Sequence, residues 1–172
     1  MSGCDLISGV QAEGLTLTKI QPSSGKEQIF QCDSIEAAID EIWQKYFDAI
    51  EEMANSRLFD IVAHIDLIKI FKFMPKRDIA DIAKNALLAI KEANMSIEIN
   101  VAGFRKPIGE AYPSLSLLLE AKKLDIPITF ASDAHKPEQV GLYSNEALNM
   151  AKFAGYEECV FYRKREIEFV KF

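Results

Sequence analysis

The sequence holds little of what several functions need. It has two histidines, one tryptophan and three cysteines, Cys4, Cys32 and Cys159, in 172 residues. The odd count, the wide spacing and the absence of Cys-x-x-Cys argue against a disulfide framework or a zinc knuckle and for reduced thiols, as in a cytoplasmic protein. No basic run occurs and the formal net charge is -6, which disfavours nucleic acid as a partner held through phosphates. A small anionic substrate stays open, since it needs only a local cation. No apolar stretch of about 20 residues suggests a membrane span, and the first ten residues lack a basic signal-peptide start. No internal repeat is visible.

What is present is apolar and periodic. Hydrophobic residues make up 49% of the chain, enough for a core, and the length suits one domain. Residues 5–10 suggest a short strand. Residues 11–34 read as a long polar connection centred on Pro22-Ser-Ser-Gly-Lys26. Ser34 can cap a long helix over 35–55, whose apolar positions Ile35, Ile39, Ile42, Tyr46, Ile50 and Met53 recur at helical spacing. A strand follows over 59–63, ended by His64. Asp66 reads as a cap or surface residue, and Lys69 to Pro75 as a basic, aromatic loop with solvated lysines. A second helix spans 76–93 with Asn94 as its stop. The alternation over 96–101 predicts a strand with Ile97, Ile99 and Val101 on one face and Glu98 and Asn100 on the other. Pro113 opens a third helix that ends near Leu124.

Ile126 to Ala131 is a β-branched and aromatic run that predicts a further strand, followed at once by Ser132, Asp133 and His135. A fourth helix over 139–154, broken near Tyr143, a strand over 158–162 and an apolar tail complete the chain. This alternation predicts an α/β fold of mainly parallel strands with helical crossovers. Its consecutive strands end in His64, in Asn100 with Arg105 and Lys106, and in Asp133 with His135. Ligands gather at the C-terminal ends of such strands. Each residue also has a plainer role: His64 as a hydrogen-bonded core residue, Arg105 and Lys106 as a charged surface loop. Taken together, His64, Asp133 and His135 offer nitrogen and oxygen ligands for a divalent ion such as zinc, manganese or iron. Arg105 offers a planar fork of donors to an anionic substrate. Hydrolysis of a phosphoryl group is the chemistry such a layout suits.

These stretches carry a family resemblance. Phe59-Asp-Ile-Val-Ala-His64-Ile-Asp66 resembles the strand-end histidine motif of the polymerase and histidinol phosphatase (PHP) superfamily. Ile97-Glu-Ile-Asn-Val-Ala-Gly-Phe-Arg-Lys-Pro107 resembles a segment of its histidinol-phosphatase branch, and Tyr112-Pro-Ser114 and Ser132-Asp-Ala-His135 follow in the order of that family. The resemblance implies a distorted (β/α)7 barrel, a cluster of metal ions and hydrolysis of L-histidinol phosphate in histidine biosynthesis. It implies His64, Asp133 and His135 as metal ligands, with Asp133 and His135 at the reacting centre. Arg105 would contact the substrate phosphate, alongside Lys106 and Asn100.

The chain departs from that pattern, because no histidine precedes His64 and Gln11 stands where a ligand is expected. The expectation is therefore an incomplete PHP-type barrel in one partial domain over 1–172, with a strand and long loop over 1–33 and α/β units over 34–172. An open barrel exposes strand edges, so a homo-oligomer or association with a missing N-terminal half is expected. The alternative is a catalytically inactive fragment or interaction module that keeps the fold.

Overall fold

The computed structural model describes residues 34–172 and, of the preceding part, the backbone of 16–20 and 27–31. The expected strand at 5–10, the loop centre at 22–26 and Gln11 lie outside the described residues. Within the expected long loop, β1 (Thr16–Ile20) and β2 (Glu27–Gln31) instead pair antiparallel, Thr18 opposite Ile29. The β-branched Thr16, Thr18 and Ile20 were a short strand signal inside a polar stretch.

Helix α1 (Ile35–Asn55) keeps its expected bounds, and the Ser34 side chain accepts from the Ala37 amide as its cap. Its largest buried side chains are Trp43 and Phe47, whereas Ile35 is 51% exposed. The strand that follows is shorter than its apolar run: β3 is Ile61–Val62. A 3-10 turn covers Leu67–Phe71. Helix α2 (Ile79–Glu92) is capped by the Asp78 carboxylate, which accepts from the Ala80 amide, and Asn94 behind it takes the left-handed conformation of a helix stop (φ 56°). Then come β4 (Ser96–Asn100), a 3-10 turn over Val101–Arg105, and α3 (Leu115–Lys123). Pro113 lies ahead of α3 and not in its first turn; its peptide bond with Tyr112 is cis. Strand β5 (Ile128–Ala131) precedes α4 (Ser144–Phe153), shortened by a left-handed Tyr143. The expected apolar tail is a strand: β6 (Glu158–Arg163) and β7 (Glu166–Lys171) form an antiparallel hairpin.

Among the described residues β3, β4 and β5 form a parallel sheet in that order, with Val62 beside Ile97 and Ile97 beside Ile128. Ile97 and Ile99 are wholly buried within two adjoining apolar clusters, one joining α1, α2 and α3 to β3 and β4, the other joining α3 and α4 to β4 and β5. The alternate positions Ser96, Glu98 and Asn100 turn to the opposite face. There the Tyr162 hydroxyl donates to the Asp60 carbonyl (2.9 Å), and Arg165 pairs with the Asp60 carboxylate (3.0 Å), so the β6–β7 hairpin closes the N-terminal end of β3. The C-terminal ends of the three strands remain for the site.

Candidate functional site

His64 leaves β3 in the left-handed region (φ 48°), and Asp133 leaves β5 in the same conformation (φ 49°). Two non-glycine residues in this region, at the ends of the strands on either side of β4, mark backbone held by its surroundings. Between them sits Asn100, the last residue of β4 and 1% exposed. Its side-chain oxygen accepts the Ala102 amide (2.9 Å), which fixes the orientation of the amide group. The amide nitrogen then donates to Glu98 Oε1 (2.8 Å) and to His64 Nε2 (2.9 Å). An amide nitrogen can only donate, so His64 accepts at Nε2 and carries its proton on Nδ1. That Nδ1 faces Glu98 Oε1 at 3.9 Å, and Nε2 faces Asp133 Oδ2 at 3.7 Å.

Arg105 reaches across from the turn after β4. Its Nη2 donates to the main-chain carbonyls of Ser132 (2.8 Å) and Asp133 (3.0 Å) and so holds the loop that carries Asp133. Its Nη1 is buried without a hydrogen-bond partner among the described residues. Lys106 is exposed. His135 is turned outward, its side chain 77% exposed. Its Nδ1 donates to the Asp133 carbonyl (2.9 Å), because a carbonyl can only accept, and Nε2 is left as the basic nitrogen.

The turn after His64 differs from its sequence reading. Asp66, expected as a cap or surface residue, stands at the N-cap position of the 3-10 turn without a side-chain cap bond there, and it and Lys69, expected to be solvated, are both wholly buried and paired at 2.8 Å. Their partners lie far along the chain. Lys69 Nζ also donates to the Ala111 carbonyl (2.7 Å) and meets Glu110 Oε1 (3.0 Å), and the Ser114 amide donates to Asp66 Oδ2 (2.7 Å). Burial pushes the Asp66 carboxyl up from its ordinary range, and the Lys69 ammonium opposes that shift. Burial, reinforced by the Asp66 and Glu110 carboxylates, raises the Tyr112 phenol to about 12.

Whether these residues suit a metal ion can be asked of their donors. His64 Nε2 and Asp133 Oδ2 are of the right chemistry, and their 3.7 Å separation suits two ligands that each sit about 2 Å from one ion. The Asn100 amide, however, occupies the Nε2 lone pair and would have to yield. Among the described residues no group of three or more His, Cys, Asp or Glu side chains is placed to hold an ion. The chain thus brings His64 and Asp133 together as a pair, and His135 adjoins only through Asp133. Sequence reasoning left Glu98 out of the site, although its alternation with Asn100 had placed both on one face.

A parallel α/β sheet with imidazole, carboxylate and guanidinium groups at its C-terminal edge defines the class. A family model described as PHP-associated matches residues 119–152, from the middle of α3 through Asp133 and His135 into α4. A protein of Deinococcus radiodurans named "Probable histidinol-phosphatase" is 32% identical over 124 residues, 72% of this chain and 47% of that protein. The histidinol-phosphatase of Bacillus subtilis is 35% identical over 127 residues, 71% of this chain and 47% of that enzyme. A solved structure from Listeria monocytogenes, provisionally assigned as a histidinol phosphatase, shares the fold with a TM-score of 0.56 at 22% identity, over 78% of this chain and 54% of that one. The chain is thus similar, over about 72% of its length, to histidinol-phosphatases, and its residues 119–152 match a PHP-associated family model. It spans about half the length of the curated relatives it matches. Among the described residues no helix is long and apolar enough to cross a membrane.

Proposed function

We propose that the chain is part of a metal-dependent phosphomonoester hydrolase whose substrate is L-histidinol phosphate. The observation that carries this reading is the convergence of His64, Asp133 and Arg105 at neighbouring strand ends, in a chain about a third identical to histidinol-phosphatases. In this reading His64 and Asp133 hold a divalent ion (zinc, manganese or iron) together with ligands from outside residues 34–172, and His135 lies beside them. When bound, such an ion polarises a phosphoryl oxygen and acidifies a bound water. Arg105 and Lys106 attract the phosphate. Asn100 has both amide hydrogens committed, so its part is to hold His64 and Glu98 in place and not to grip substrate.

The reading also needs a surface for the segment that brings the remaining ligands. The edge of β3 that no strand covers among the described residues, with Leu58, Phe59 and Ile61 exposed beside an apolar groove lined by Tyr46, Ile50 and Met53, is where that segment would sit. A second reading, a non-catalytic module that keeps the fold, is favoured by the lack of a three-ligand group among the described residues.

Metal analysis of the purified chain, paired with phosphate release from L-histidinol phosphate, separates the two. Near-stoichiometric divalent metal, lost in His64→Ala and Asp133→Ala, together with phosphate release, supports the hydrolase. A folded sample that takes up no metal from excess zinc, manganese or iron and releases no phosphate overturns it for this chain and leaves the module.

A further inference from the structure

We propose that the buried Asp66–Lys69 pair is a positioning device for the His64 imidazole. The pair belongs to a closed circuit of contacts. His64 and Asp66 share one short turn, in which the Leu67 amide donates to the His64 carbonyl (2.8 Å). Asp66 Oδ2 takes Lys69 Nζ (2.8 Å) and the Ser114 amide (2.7 Å). Lys69 spends its ammonium on Asp66, the Ala111 carbonyl and Glu110, which matches its three hydrogens. The segment gripped in this way contains Tyr112, whose main-chain amide donates to the Asn100 carbonyl (2.9 Å) and whose carbonyl accepts the Asn100 amide (2.7 Å). The Asn100 side chain in turn donates to His64 Nε2. The Tyr112 ring fills the interior of the circuit, 5.2 Å from Lys69 Nζ and 6.1 Å from the His64 ring.

A stability role alone explains this pair poorly. A buried ion pair contributes little compared with apolar side chains of the same volume, because both charges lose their water. Here Asp66 Oδ1 and the Tyr112 hydroxyl are also buried without partners among the described residues, a cost that an apolar core would avoid. What the pair does provide is direction. An ammonium with three fixed acceptors sets the distance between the turn after β3 and the segment after β4, and these two segments hold His64 from its backbone and from its ring.

The proposal deepens the assignment of His64 to the site, but its test is read on the imidazole and needs no turnover. The chain has only two histidines, so their ring signals are readily told apart by nuclear magnetic resonance once His135→Gln has removed one set. In Lys69→Met the His64 ring nitrogen and carbon signals shift and broaden, reporting a loosened ring, while those of outward-facing His135 stay in place. Asp66→Asn, which keeps an acceptor for Ser114, gives a smaller shift at His64. If Lys69→Met does not fold, Glu110→Gln serves, since that side chain is 44% exposed and the change removes one charge facing Lys69. It shifts His64 and leaves His135 alone. His64 signals that coincide with the wild type in folded Lys69→Met, or failing that in Glu110→Gln, overturn the proposal whether or not the chain is a phosphatase.

Discussion

Asn100 Nδ2 lies 2.9 Å from His64 Nε2, and the same nitrogen lies 2.8 Å from Glu98 Oε1. One buried amide therefore sets the tautomer of a strand-end histidine and restrains the carboxylate beside it.

Asn100→Ala removes these contacts together with the acceptor for the Ala102 amide. Leaving such buried groups without partners costs about 1–3 kcal/mol. The fall is read in urea unfolding. Asn100→Asp keeps the acceptor but places a second carboxylate against Glu98, so it also destabilises. An Asn100→Ala variant as stable as the wild type would show that the amide restrains nothing.

Arg105 acts on Asp133 through the backbone. Its guanidinium grips the Ser132 and Asp133 carbonyls, so Arg105→Ala frees a loop that holds a non-glycine residue at positive φ. Charge-assisted hydrogen bonds of this kind contribute about 1.5–3 kcal/mol. Amide hydrogen exchange should rise over residues 132–135 and stay unchanged in α2. Lys in place of Arg lacks the fork geometry and restores protection only in part. Equal exchange in Arg105→Ala and wild type would remove the clamp.

Gly103 is required by space. A β-carbon there would overlap the Glu110 carbonyl oxygen and press on the Tyr112 ring. Gly103→Ala forces the turn after β4 away from the segment that pairs with Asn100. Overpacking of this kind costs about 1–3 kcal/mol, which calorimetry would register as a lower melting temperature. Gly109 has open space around its β-carbon position, although its φ of +71° makes alanine strained there as well.

The buried phenols set an alkaline limit. Tyr112 is raised from the ordinary value near 10 to about 12, and burial raises Tyr156, whose hydroxyl donates to the Ile126 carbonyl (3.0 Å), in the same direction. A phenol that stays protonated in the folded chain and ionises in the unfolded one contributes stability below pH 10 and loses it as pH rises through the folded value. For Tyr112 that displacement corresponds to about 2–3 kcal/mol between pH 10 and 12. Urea unfolding across this window should show the decline, and Tyr112→Phe should flatten it. The same variant removes a buried hydroxyl that has no partner among the described residues, so it is neutral or stabilising at pH 7.

Much of the local framework was legible in the order of residues. Ser34 and the three- and four-residue apolar spacing determined α1 from Ile35 to Asn55. The alternation through Ser96–Asn100 determined which side chains enter the core and which face the site. The polar residues after each apolar run marked the strand ends. These are features of near neighbours, and helix capping, helical periodicity and strand alternation act over a few residues.

Only the tertiary structure decided the fate of the charges. Lys69 looks like any lysine of a basic loop until Ala111, 42 residues on, presents its carbonyl, and Asp66 is buried because the Ser114 amide, 48 residues on, completes its shell. His135 shares the Asp-x-His spacing that suggested a common pocket, yet its ring bonds the Asp133 backbone and faces outward. The physical reason is that burying a charge is costly unless specific partners surround it, and those partners are assembled by the crossovers between strands.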